Sequence, residues 1–92
     1  MILTTTASVE GRAIKSYQGI VTGEAVIETW DDEEHDKERR AKACQVALDE
    51  LAQAASGKGA DAVVGIALDH QVFDGDGGML LITASGTAVK LA

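Results

Sequence analysis

A chain of 92 residues is enough for one domain, spanning 1–92, and at that size only about 60–65% of the unfolded surface becomes buried. Fifteen acidic side chains against eight basic ones give a formal charge of −7, which repels phosphate backbones and anionic headgroups and argues against nucleic-acid and membrane-surface partners. Apolar residues make up 46% of the chain, yet only Tyr17, Trp30 and Phe73 are aromatic, so the core has to be built from Ala, Val, Ile and Leu, which bury little area each.

No apolar run approaches the roughly 18 residues needed to cross a bilayer, and Met1–Thr6 lacks the basic and apolar regions of a secretory leader. The single cysteine, Cys44, cannot close an intrachain disulfide, which fits a reducing compartment. A cytoplasmic protein is expected. A small core of small side chains also favours self-association, because copies that pair their sheet edges bury surface the monomer cannot.

Ile2–Thr6 is short and β-branched, and reads as a small strand better suited to docking on a neighbour than to holding a core. Glu10-Gly11-Arg12 supplies a turn. From Ala13 to Ile27, apolar residues are interspersed with Gly19 and Gly23, the pattern of a bent or bulged strand or of two strand pieces. Asp31 or Asp32 is placed to cap a helix, whose first turn carries acids that suit its positive dipole end. Ala41, Cys44, Leu48, Leu51 and Ala55 then recur at helical spacing, flanked by Ala43, Ala47 and Ala54, and Gly57 ends the run.

Gly59-Ala60-Asp61-Ala62-Val63-Val64-Gly65-Ile66 leads from that helix into a buried strand, which continues to Phe73. Asp74-Gly75-Asp76-Gly77-Gly78 is a hairpin signal, and Met79–Leu91 returns as a strand with a bulge expected at Gly86. The order β(β)-α-β-β predicts an α+β fold of two layers, one helix on a mostly antiparallel sheet.

Few residues offer chemistry. The run Asp31-Asp32-Glu33-Glu34-His35-Asp36 is the richest in metal-type donors: its carboxylates suit hard cations, and His35 shares a helical face with Asp31 and Asp32. The blander account, a capped and solvated first turn, is the better one. Asp69 and His70 are adjacent on a strand and point to opposite faces, so they join in one metal site only if several copies bring their donors together. Cys44 has neither a second thiolate nor a histidine at ligand spacing and reads as a small core residue.

The acid-x-acid pattern at Asp74 and Asp76 lacks the frame of a calcium loop, and Gly57-Lys58-Gly59 follows a helix where a phosphate loop would precede one. Trp30 suits a hydrophobic staple at the helix start. Ser8, Ser16, Ser56 and Ser85 have no base nearby and no nucleophile elbow. Catalysis is not expected.

Four segments in order resemble the YbjQ-like family, a group named for heavy-metal binding: Thr4-Thr5-Thr6 with Glu10-Gly11, Tyr17 through Ala25, Gly59 through Ile66, and Ser85 through Val89. The resemblance implies a dodecin-like subunit with extra short strands that assembles as a ring-shaped homopentamer. Two departures stand out. A longer Gly- and Phe-containing insertion before the helix is replaced here by Glu28–Glu34, and the third strand, Ile66–Gln71, carries fewer acids. The resulting expectation is a non-enzymatic, ring-forming protein. The alternative is a heavy-metal or divalent-cation binder whose sites form between subunits, with Asp31, Asp32, His35, Asp69 and His70 as candidate ligands.

Overall fold

A computed structural model describes residues 1–28, 33–73 and 78–92, with the side chains of 33–36 and 73 outside the description. Strand β1 (Ile2–Leu3) is followed by β2 (Ile14–Glu28), helix α1 (Glu33–Gly57), β3 (Ala62–Phe73) and β4 (Met79–Leu91). The four strands form one sheet in the order β1-β3-β4-β2. β1 runs parallel to β3, and the β3–β4 and β4–β2 pairs are antiparallel. The α+β architecture expected from the sequence is present, on a mixed sheet whose outer positions belong to β2 and to β3 with its short β1 companion.

Helix α1 packs mainly on β2 and β4. Its buried row is Ala43, Ala47, Leu51 and Ala55, with Cys44 and Leu48 partly buried beside it. Ala41 and Ala54, expected on or beside the apolar face, are exposed, so the face is rotated toward the alanines that were expected to flank it. The cause is a close approach of helix to sheet. A Cβ on Gly23 would fall on the Ala47 carbonyl oxygen and within 2.7 Å of the Leu51 amide nitrogen. Only a strand residue without a side chain lets the helix backbone sit this low, and only alanines on the helix let it do so without a clash. Against this row the sheet presents Val21, Val63, Ile66, Leu80, Ile82, Ala84 and Ala88.

The opposite face of the sheet carries a second, smaller core of Ala62, Val64, Val89 and Leu91, covered by Val9 and Ile14. Asp61 fastens this end: its amide donates to the Val89 carbonyl at 2.8 Å, and the Leu91 amide donates to Asp61 Oδ2 at 2.9 Å. The helix exit closes just before it, with the Ala60 amide donating to the Ala55 carbonyl at 3.1 Å.

Two expectations change, and a third is narrowed to one of its alternatives. The first strand is confined to Ile2–Leu3 and docks on its own chain's β3, with Thr4 continuing that line through its amide to the Val63 carbonyl at 3.0 Å. β2 is one strand, bulged between Tyr17 and Gly19. The bulge expected at Gly86 lies across from it on β3, where Val64 pairs with Thr87 and Ala67 with Ser85, so Gly65 and Ile66 together face Gly86. Gly65 takes the left-handed conformation, φ 62°, that a bulge of this type needs. Gly86 is small for a different reason, since a Cβ there would meet Val63 Cγ1 at 2.6 Å. Of the expected hairpin turn at Asp74–Gly78, residues 74–77 lie outside the described residues; the strands on either side pair antiparallel, ending in Phe73 opposite Met79, and Gly78 has a positive φ of 57°.

Glycine substitutions test this account at matched protein concentration by urea denaturation. Gly23→Ala should destabilise by about 2–3 kcal/mol through overpacking, and Gly65→Ala by about 1–2 kcal/mol through its positive φ. Gly57→Ala, with open space around its Cβ, should be neutral or stabilising by up to about 1 kcal/mol. Equal effects at all three positions would refute the close-approach argument.

Candidate functional site

The bulge decides which side chains β3 offers to the helix. Along a regular strand, Val63 facing the helix would put every odd-numbered residue on that side, Asp69 included. The extra residue at Gly65–Ile66 reverses the alternation, because Val63 and Ile66 both join the core under the helix. His70 therefore takes the helix side, opposite the fully buried Ile82, and Asp69 the far side, opposite Thr83.

On the helix, Cys44 follows the buried Ala43 and is half-exposed at the border of the core. Its Sγ lies 3.9 Å from His70 Nε2. A thiol and an imidazole thus meet across the α1–β3 boundary, open to solvent on one side. The sequence reading of Cys44 as an isolated core residue is corrected here: its histidine partner is 26 positions away in the chain and is supplied by tertiary packing. Hydrophobic periodicity placed Cys44 on the apolar face. The signal that could have found its partner was the glycine at position 65, read as a bulge that flips the strand's alternation.

Of the other sequence candidates, only Asp69 and His70 have described side chains. Asp31 and Asp32 lie outside the described residues, as do the side chain of His35 and the expected staple at Trp30. Asp69 and His70 are both exposed, on opposite faces. Among the described residues, no three His, Cys, Asp or Glu side chains come close enough to hold one ion. The hydroxyls seen in hydrogen bonds serve local structure: Thr6 Oγ1 donates to the Ser8 carbonyl at 2.6 Å, and Ser16 Oγ donates to Gln18 Oε1 at 3.4 Å.

A second feature is a shallow groove of about 320 Å³ along the junction of β2 and α1, lined by the Ala25–Ile27 stretch of β2 and by Arg39, Lys42, Ala43 and Val46 of α1. Arg39 Nη1 donates to the Glu28 carbonyl at 3.1 Å, tying the helix to the end of β2. Among the described residues no helix is long and apolar enough to cross a membrane.

The comparisons with known proteins agree with this fold. Residues 33–92 match the family model YbjQ_1, described as "Putative heavy-metal-binding". A UPF0145 protein of Bifidobacterium longum is 40% identical over an alignment of 106 positions that takes in 100% of this chain and 96% of the relative. Because this chain has only 92 residues, the relative carries segments absent here. A crystal structure of a protein of unknown function from the DUF74 family of Pediococcus pentosaceus superposes with a TM-score of 0.80 at 17% identity, covering 100% of this chain and 98% of that one. That likeness concerns the fold alone. The chain belongs to the YbjQ-like family.

The donors present can be weighed against the metal in the family's description. A closed structural cage for zinc takes four protein ligands, and no group of even three is found among the described residues. The thiol–imidazole pair fits a thiophilic ion as two ligands of an open site. Exposure of the thiol has its own check. Iodoacetamide should alkylate Cys44 in the folded protein at a rate below that of a free thiol but well above that of a core cysteine. Complete protection until the protein is unfolded would place Sγ in the core after all.

Proposed function

We propose that this chain is a non-catalytic, self-assembling module whose working form is a closed ring of identical subunits. The carrying observation is the amount of apolar surface left open along a strand whose outer edge is unpaired. Tyr17, Ile20 and Val26 of β2 are 70%, 77% and 53% exposed, on the sheet face away from the helix. Among the described residues, no strand lies beyond β2 along its length, Ile14–Glu28. The outer edge of β3 is covered by β1 and Thr4–Thr6 only as far as Ile66, and Leu68 and Val72 beyond that point are exposed.

Exposed apolar edges invite pairing. Two different free edges on one chain suit head-to-tail contacts, β2 of one copy against β3 of the next, and such contacts make rings when the rotation closes. Shape points the same way. The radius of gyration is 15.1 Å with extents of 49 × 20 × 16 Å, whereas a compact domain of this length has about 12 Å. An elongated subunit with little core per residue gains stability from neighbours. A pentamer is the ring size the family resemblance implies.

Light scattering coupled to size exclusion at micromolar concentration should give a single species several times the subunit mass. Ile20→Lys combined with Val26→Lys should shift it toward monomer and lower its thermal midpoint. A stably folded wild-type monomer would overturn the reading. Metal handling is the second reading, favoured by the approach of Cys44 to His70.

A further inference from the structure

We propose that Cys44 Sγ and His70 Nε2 together bind one thiophilic metal ion per chain, of the soft or borderline class that includes Zn²⁺ and Cu⁺. This deepens the metal-handling reading and rests on it. Three observations carry the assignment. The donor types are those such ions select: a thiolate sulfur, and an imidazole whose other nitrogen stays free for a hydrogen bond. The separation suits a bridging ion. With a metal–sulfur bond of about 2.3 Å and a metal–nitrogen bond of about 2.0 Å, the donors would stand about 3.5 Å apart at a tetrahedral angle and about 4.3 Å apart if linear. The observed 3.9 Å lies between these limits. Finally, both donors sit on regular elements, α1 and β3, and Cys44 borders the packed core, so the pair is held in place without being sealed from solvent.

As the ion binds, the thiol proton is released to solvent, the sulfur and the imidazole nitrogen each donate a lone pair, and solvent oxygens fill the remaining positions. No acidic side chain of the third strand is required. Asp69, the one carboxylate of β3, faces the other side of the sheet.

Titration of the intact chain with Co²⁺, an optical stand-in for zinc, reads the site directly through the sulfur-to-metal charge-transfer band in the near ultraviolet. Wild type should develop this band to a stoichiometry of one ion per chain and lose it on addition of Zn²⁺. Cys44→Ser should abolish the band. His70→Gln should weaken binding by about tenfold or more, since loss of an outer-shell partner alone typically costs about 10–100-fold. Circular dichroism on both variants establishes that they remain folded, which the exposure of the two residues favours. Binding without a charge-transfer band, or a band indifferent to His70→Gln, would overturn the pair as the site while sparing the metal-handling reading. No binding of Co²⁺ or Zn²⁺ by calorimetry would remove both.

Discussion

The orientation of everything on β3 depends on one extra residue. Gly65, in a left-handed conformation open to few other residues, lets β3 gain a position on β4 without breaking the pairing on either side. Its consequences run in three directions. Val63 and Ile66 both reach the core under the helix, which a regular strand would forbid. The Gly65 and Ile66 amides donate to the Thr6 and Thr4 carbonyls at 2.8 and 3.1 Å, so the N-terminal segment is held where the strand is irregular. And His70 is turned toward Cys44, with Asp69 turned away. A strand without the bulge would bring a carboxylate toward the helix, a donor suited to harder ions.

The second constraint is the contact of helix backbone with Gly23. It explains why a core with so few aromatics is sufficient here: Ala43, Ala47 and Ala55 fill a space that the lowered helix has already made narrow. The same economy leaves the molecule long and thin. On the face the helix does not reach, β2 carries large exposed apolar groups, Tyr17, Ile20 and Val26. The proposed assembly would then follow from the packing inside the subunit and need no specialised interface segment.

How far the sequence alone reached can be argued residue by residue. The order of elements, the end of the helix at Gly57 and the pivot at Asp61 followed from periodicity and turn chemistry, which act over a few residues. The rotation of the helix face did not, because it arises from a contact between Gly23 and Ala47 that no local pattern encodes. The displaced bulge is similar: Gly65 and Gly86 are both glycines in strand patterns, and only the pairing shows that one bends the chain and the other makes room for Val63. The Cys44–His70 pair was missed for both reasons at once, since it depends on the helix rotation and on the parity change. The residues that drew attention as ligands were instead those clustered in sequence, and adjacency on a strand separates side chains as surely as it joins them in the text.

The Cys44–His70 pair and the free edge of β3 occupy the same part of the molecule, and this links the two proposed readings thermodynamically. α1 contacts β3 less than it contacts β2 or β4, and beyond Ile66 the outer edge of β3 lacks the N-terminal segment that covers it before the bulge. An ion held between Cys44 and His70, as proposed, would add a tie between the helix and this stretch, whose outer edge is uncovered. Restricting β3 before it pairs lowers the ordering cost of pairing, as preorganisation does for any association. Linkage then requires reciprocity: if the ion strengthens assembly by some factor, assembly strengthens ion binding by the same factor. A subunit whose edge is steadied by the metal would accordingly hold the metal more tightly inside the proposed ring than alone, with no ligand contributed by the neighbour.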